Sequence, residues 1–545
     1  MPGSIRLRSV LVGATAVALV ATGCGGGDSG GDGGGSGVIR ASWGDPQHPL
    51  EPANTNEVQG GKVLDMIFRG LKRYNPETGE AEDMMAESIE TEDQRNFTVT
   101  IKDGWQFQDG TPVTADSYVD AWNYGAHLDN AQVASYFFQF IEGYDEVHPE
   151  EEGAEATADT LSGLEVTGEH TFEVRLSEPF ALWPETLGYA AYAPLPQAFF
   201  EDHDAWLAKP VGNGPYQIDS YQRSQRMNLV RYDDYSGPDD ARNDGVELRV
   251  YTDNNTAYTD LQAGNLDLID DVPASQLKNA RSDLGDRYIN QPAGIIQTVS
   301  FPLYDDAWSG DDGVKLRQGL SMAINREEIT QRIFQDTRTP ASDFTSPVLG
   351  DAGGFQEGLC GEVCEYHPDR AKELIDEAGG LPGGRVTLSS NVDTGSHRQW
   401  LDAVCNSVNN ALESENACTV NPVPTFADFR NQISNREMTG MFRTGWQMDY
   451  PLIQNFLQPL YYTDASSNDG GYSSEEFDAL VDEANSADNE DDSVSLFQDA
   501  EQVLVDDLPA IPLWYQNGTA GYSERLRDVR LNPFSVPVFT DITVG

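Results

Sequence analysis

Apolar and polar positions change their spacing along the chain, and each change predicts an element. Residues 38–43 read as a first strand. Residues 57–71 carry apolar side chains at 58, 63, 64, 67, 68 and 71, a helical spacing. Residues 97–102 alternate as a strand, and so do residues 171–179. Between them Asp109-Gly110 predicts a tight turn, and Thr114 predicts the cap of a helix carrying Tyr118, Val119 and Trp122. Further strands are predicted at 216–221, 246–251, 295–301 and 385–388. Helices are predicted at 315–329, where an Asn325-Arg326 turn interrupts, at 366–379, at 399–412 and at 497–505. Pro368 suits the first turn of its helix and Gly379 its C-terminal cap. Residues 508–515 form an apolar segment broken by Pro509 and Pro512.

The chain of 545 residues exceeds one ordinary core, so two or three domains are expected. Its formal net charge of −56 argues against nucleic acid, whose binders need a basic face, and against lying on anionic lipid. The acid is spread through runs such as 150–155, 239–244 and 488–492. It therefore reads as a solubility or salt-tolerance surface rather than as a trap for cations.

Residues 1–24 read as an export segment. Arg6 and Arg8 precede an apolar run at 10–20 that is too short to span a bilayer. Ala21-Thr22-Gly23-Cys24 resembles the bacterial lipobox, with Ala21 where Leu is commonest. The resemblance implies cleavage before Cys24 and a diacylglycerol on its thiol. Residues 25–37 contain only Gly, Ser and Asp and read as a flexible tether spanning roughly 20 Å. Gly27-Asp28-Ser29-Gly30-Gly31 spells a serine-protease nucleophile motif, but that chemistry needs a rigid barrel behind the serine. An oxidising compartment fits the four remaining cysteines, for which the pairs Cys360–Cys364 and Cys405–Cys418 are expected. Seven histidines and no paired C-x-x-C spacing speak against a metal site, and no cofactor is expected.

The most informative stretch is Arg443-Thr444-Gly445-Trp446-Gln447-Met448-Asp449-Tyr450-Pro451, which follows an extended apolar approach at 438–442. Gly445 lets another backbone come close, Trp446 offers a flat apolar wall, and Asp449 is a lone acceptor-only charge. This stretch resembles the Gly-Trp-x-x-Asp-Tyr segment of the oligopeptide- and dipeptide-binding proteins of ABC importers, solute-binding family 5. Other landmarks of that family follow in order: 103–116; Lys209 to Tyr216, with Gly212-Asn213-Gly214; 264–269; 315–329; 366–379; and 508–515. The Gly212-Asn213-Gly214 step precedes a strand, so it reads as a tight turn and not as a phosphate cradle.

The resemblance implies a bilobed α/β fold of the periplasmic-binding-protein type (type II, cluster C). An extra domain is inserted in the first lobe, and two crossovers form a hinge near 290–300 and 508–516. The expected division is 38–74 with 205–292 and 512–545 as lobe one, 75–204 as the inserted domain, and 293–511 as lobe two. The resemblance further implies a monomeric, extracytoplasmic receptor, tethered through Cys24, that hands oligopeptides to an ABC permease and ATPase complex. Asp449 would hold the ligand's ammonium. The Gly445–Gln447 backbone would be one ligand-pairing edge, with Asn56, Glu57 and Val58 at the other. Arg443 and His397 would meet the carboxylate, and Phe426 would be a wall. In place of the Asp-Pro pair that follows this Asp in many relatives stands Tyr450-Pro451-Leu452-Ile453-Gln454-Asn455-Phe456. A same-fold receptor for a sugar or metal chelate is the alternative. A secreted hydrolase is the rival of another class, and no H-E-x-x-H supports it.

Overall fold

The structure is a computed structural model that describes residues 37–545 except 56, 150–152, 393–396 and 466. The export segment, Cys24, Asn56 and all of the tether but Gly37 lie outside the described residues.

One eleven-stranded mixed sheet runs through the molecule. In chain order its strands are β1 (Val38–Trp43), β2 (Tyr216–Gln222), β3 (Arg226–Arg231), β4 (Gly245–Val250), β5 (Leu268–Ile269), β6 (Tyr288–Ser300), β7 (Arg338–Pro340), β8 (Val386–Asn391), β9 (Cys418–Val423), β10 (Met441–Gln447) and β11 (Ala510–Tyr522). Their spatial order is β9-β8-β10-β6-β11-β5-β1-β4-β3-β2, with β7 also on β11. The predicted strand at 38–43 is β1, whose Ile39, Ala41 and Trp43 are buried while the residues between them stay partly open. That alternation is what a strand with one covered face requires.

The two 13-residue strands β6 and β11 lie side by side, antiparallel, from Tyr288 opposite Gly521 to Ser300 opposite Ala510. β10 pairs with one end of β6, and β5 with the far end of β11. Both long strands thus belong to both halves of the sheet. Their pairing is irregular between Pro292 and Ile296. It shifts again where Thr298 faces Pro512, a residue with no N–H to give the ladder. The apolar, proline-containing segment at 508–515 is therefore the entry to a long strand.

Two buried arginines hold that entry. Arg317 Nε donates to Leu508 O (2.9 Å) and Arg326 Nε to Pro512 O (2.8 Å). They stand on two separate helices, Gly310–Met322 and Arg326–Phe334, where the sequence predicted one interrupted helix. The break is at Asn325, whose Oδ1 accepts the Glu328 N–H (3.1 Å) and so opens a second helix.

The helix predicted over 57–71 is α1 (Val58–Ile67), which ends at Phe68. Beyond it the chain packs against the 212–214 loop. Asn213 Oδ1 accepts the Arg69 N–H (2.9 Å), and Gly214 N–H donates to Ile67 O (2.8 Å). A Cβ at Gly212 would sit 1.9 Å from Ile67 O, so close backbone approach requires the glycine.

Residues 86–175 hold a separate four-stranded antiparallel sheet, Ala86–Thr91, Asn96–Ile101, Thr171–Arg175 and Leu164–Gly168 in spatial order. The helix Ala115–Ala126 packs on it through Tyr118 and Trp122, which are wholly buried and meet the Phe172 ring. Thr114 N–H donates to Ser117 Oγ (3.2 Å) at its start, and Gly110 N–H donates to Phe107 O (2.9 Å) in the turn before it.

Charged groups tie remote segments together. Asp267 is fully buried, and Arg40 Nε (2.7 Å), Arg40 Nη2 (2.7 Å) and Arg525 Nη1 (2.9 Å) donate to its carboxylate. Burial alone would raise its pKa; the Arg40 hydrogen bonds and the two guanidinium charges outweigh it and hold the carboxyl below its usual range. Cys360–Cys364 and Cys405–Cys418 are disulfide-bonded, with Cα atoms 5.6 and 4.9 Å apart.

Glu501, on the helix Glu490–Asp507, is fully buried beside Asp343. The Asp343 carboxylate accepts from Thr345 N (2.6 Å), Thr345 Oγ1 (2.7 Å) and Gln356 N (2.8 Å). Burial first, and the Asp343 charge second, push the Glu501 carboxyl well above its ordinary value. The stability this gives is complete below the unfolded value near 4.5 and is lost as pH rises through the folded one. Glu501→Gln should therefore flatten the fall in unfolding temperature as pH rises above about 4.5. An unchanged slope in calorimetric scans would exclude this pair as its source.

Candidate functional site

β10 is the scaffold of the site. Its inner edge is covered by β6, from Phe442 opposite Ser300 to Gln447 opposite Ile295. A Cβ at Gly445 would lie 2.7 Å from Ile296 O, so the backbone that Gly445 admits is the chain's own β6. On the outer edge β8 pairs only with Met441 and Phe442. Among the described residues, no strand covers that edge from Arg443 to Gln447. Met448 N–H donates to Gly294 O (2.9 Å). The alternation of an antiparallel ladder then turns the backbone groups of Gly445 and Gln447 to the uncovered side.

Asp449 follows the strand and lines a cavity of about 440 Å³. Glu57, Val58 and Gln447 line it too, together with Tyr74, Tyr189 and Phe534. Among the described residues, the walls include Glu57, Asp65 and Asp449, but no Lys, Arg or His. Glu57 is already committed. Its carboxylate accepts from Gln59 N (2.8 Å), Gly60 N (3.0 Å) and Gln47 N (3.2 Å), which caps α1. Val58 is 41% exposed, the apolar lip of the same cavity.

Asn455 sets the position of Asp449. It stands on the helix Ile453–Tyr461, and its Oδ1 accepts both the Trp446 Nε1–H (3.0 Å) and the Asp449 N–H (2.8 Å). Its Nδ2 lies 3.5 Å from Asp449 Oδ2. Burial pushes the Asp449 carboxyl up to about 7, with the Asn455 amide pulling weakly the other way. Tyr189, Tyr136 and Tyr450 crowd around it; burial first, and the Asp449 charge second, raise all three phenols. Among the described residues, no cation forms an ion pair with Asp449.

Arg443 lines a second cavity, of about 230 Å³, at the other end of the open edge. Trp446, Gly445 and Phe426 line it as well. Thr298, Ser300 and Thr444 add a chain of hydroxyls, 2.8 and 2.7 Å apart. The neighbouring cation Arg430 is paired with Asp469 (2.6 Å). Arg443 Nε reaches only Gln297 Oε1 (3.4 Å), and no carboxylate among the described residues pairs with it. Burial first, then the Arg430 charge, lower its pKa. A desolvated guanidinium in this setting favours an anion.

The sequence-predicted residues thus divide between two cavities. Asp449, Gln447, Glu57 and Val58 share one; Arg443, Gly445, Trp446 and Phe426 share the other. His397 lines neither; it opens the helix His397–Ala411, with Nδ1 3.2 Å from Asn391 O. Phe429, read alongside Phe426, is core, packed with Val423, Ile433, Met438 and Phe442. Sequence reasoning missed Asn455, Asp65, Tyr74, Tyr189 and Phe534. Asn455 lies within the segment singled out after Asp449, so a buried polar residue there was the available signal.

Residues 80–468 match the family described as bacterial extracellular solute-binding proteins, family 5 middle. The chain is 25% identical to the oligopeptide-binding protein OppA of Bacillus subtilis, over 88% of each chain. It is also 25% identical to the periplasmic oligopeptide-binding protein OppA of Escherichia coli, over 86% of this chain and 84% of that one. Among solved structures it is similar to the substrate-binding protein CtaP of Listeria monocytogenes (TM-score 0.77, 20% identity, 94% of this chain and 99% of that one). It is likewise similar to Haemophilus influenzae OppA in complex with RPPGFSPFR (TM-score 0.72, 19% identity, 93% and 99%). The fold is the bilobed α/β fold of these binding proteins, and the chain belongs to the bacterial extracellular solute-binding proteins of family 5.

Proposed function

We propose that this chain is the receptor of an ABC importer and that its ligand is an oligopeptide. One observation carries this reading. Among the described residues, an uncovered strand edge runs from a cavity with carboxylates and no cation to a cavity whose half-buried arginine has no carboxylate partner. A peptide has matching features: a cationic end, an anionic end and a backbone that must find hydrogen bonds once water leaves. Its ammonium would meet Asp449, its backbone Gly445 and Gln447, and its carboxylate Arg443. The ligand would then run antiparallel to β10. Six residues of strand separate the two charges, about 20 Å, which suits an extended peptide of roughly four to six residues. Phe426, with 48% of its surface open, would cover the arginine end. Two of the relatives are oligopeptide-binding proteins, which agrees with a peptide.

Delivery to a permease, closure of lobe 293–511 on lobe 38–74 with 205–292 and 512–545, and the lipid anchor at Cys24 belong to the same proposal. β6 and β11, which run through both halves of the sheet, are the natural hinge. Native mass spectrometry of the purified protein tests the ligand class. Retained adducts with peptide masses are expected; retention of a sugar or a metal chelate alone would overturn the reading.

A further inference from the structure

Asp65 stands on α1 and lines the 440 Å³ cavity together with Asp449. It also lines an adjoining cavity of about 670 Å³, which shares Tyr74, Tyr189 and Phe534 with the first. Among the described residues, no hydrogen-bond donor and no cation is paired with its carboxylate. Arg69, the cation nearest to it in sequence, is committed elsewhere. Its Nε and Nη2 donate to Asp239 (2.9 and 2.6 Å), and its Nη1 donates to Phe68 O (2.7 Å) and to the Asp65 backbone oxygen. Burial raises the Asp65 carboxyl and outweighs the Arg69 and Arg73 charges, which pull it down from a distance, and cations of the larger cavity are paired elsewhere. Lys72, Arg73 and Arg530 are paired with Glu185, Glu82 and Asp541, and Arg242 lies outside the smaller cavity.

When a ligand fills the smaller cavity and water leaves, one ammonium answers one carboxylate. The Glu57 oxygens are already held by the amides it caps, so Asp65 is the carboxylate left without a hydrogen-bond partner among the described residues. An uncompensated, desolvated carboxylate is costly, and a second cation on the ligand removes that cost. The Tyr74, Tyr189 and Phe534 rings line both cavities, an aromatic setting that favours such a cation, and the larger cavity has room for the stem that bears it. We propose that Asp65 is a specificity-determining residue, which makes the receptor prefer peptides whose first side chain is basic. This rests on the reading of Asp449 as the partner of the ammonium.

Calorimetry with Lys-Ala-Ala-Ala and its norleucine isostere tests it on the parent, on Asp65→Asn and on Asp449→Asn. The parent should bind the lysine peptide about tenfold or more tightly than the norleucine one, and Asp65→Asn should bring the two within about twofold. Asp449→Asn should weaken both alike. Equal affinities in the parent would overturn the role of Asp65 while leaving that of Asp449 intact, and so would a preference that survives in Asp65→Asn. If neither peptide binds the parent, the reading of the cavity falls and this proposal with it. Asp65→Asn should unfold at or above the parent's temperature at neutral pH, since no hydrogen bond of its carboxylate is lost and burial already disfavours the ionised form.

Discussion

Asp449→Asn is expected to weaken binding of tetrapeptides with a free N-terminus by about 100-fold or more. Leaving a buried ammonium without its counter-charge costs roughly 3–5 kcal/mol. The loss should be much smaller for N-acetylated peptides, which bring no charge to that end. The parent should also show a pH dependence that the variant lacks. The Asp449 carboxyl is pushed up to about 7, and only its ionised form attracts an ammonium. Affinity should fall about tenfold for each pH unit below 7, while the peptide's own amine stays charged throughout that range. The same variant should be more stable than the parent without ligand at pH 8. Because the folded pKa is raised, the stability contributed is complete below about 3.8 and lost as pH rises through about 7. The gain has an upper bound of about 4 kcal/mol for that shift. A variant that bound free tetrapeptides as the parent does would remove Asp449 from the site.

Asp267→Ala is expected to destabilise the fold by about 3 kcal/mol, at the low end for a broken buried pair. The low end applies because the Arg40 and Arg525 side chains keep 24% and 35% of their surface in water. The carboxylate joins β1, the chain before β5 and the segment after β11, so its loss should show as a lower unfolding temperature and not as a change in ligand preference. Its folded pKa lies below the usual range, so the contribution is present at neutral pH and lost as pH falls through the acid range. Thermal scans at pH 7 and pH 3 separate this from a packing effect: the variant and the parent should differ less at pH 3. A destabilisation that is equal at both values would mean that the ion pairs are not its source.

Strands such as β1 were legible because one covered face imposes a period of two on side chains close together in sequence. The helix break at Asn325 was legible as a turn, but two complete helices were not predicted there. The cap that opens the second one depends on a side chain reaching the Glu328 N–H. Arg317 and Arg326 stood in a recognisable motif, yet their partners are carbonyls nearly two hundred positions further along. A local pattern carries no sign of such pairs. The same limit applies to the site. Asp449, Arg443 and Trp446 share one short strand and its end, where their chemistry could be read together. Asp65, Tyr189 and Phe534 reach the Asp449 cavity from three distant segments, and only the fold unites them. Gly445 was read as leaving room for a neighbouring backbone; the fold supplies β6 there, and the uncovered edge lies on the opposite side.

Titration calorimetry of the parent protein at pH 7 with a tetrapeptide, its N-acetyl form and its C-terminal amide tests the central claim most directly. Blocking either end should weaken binding at least about tenfold, the amine end through Asp449 and the carboxylate end through Arg443. Equal affinity for all three forms would contradict it.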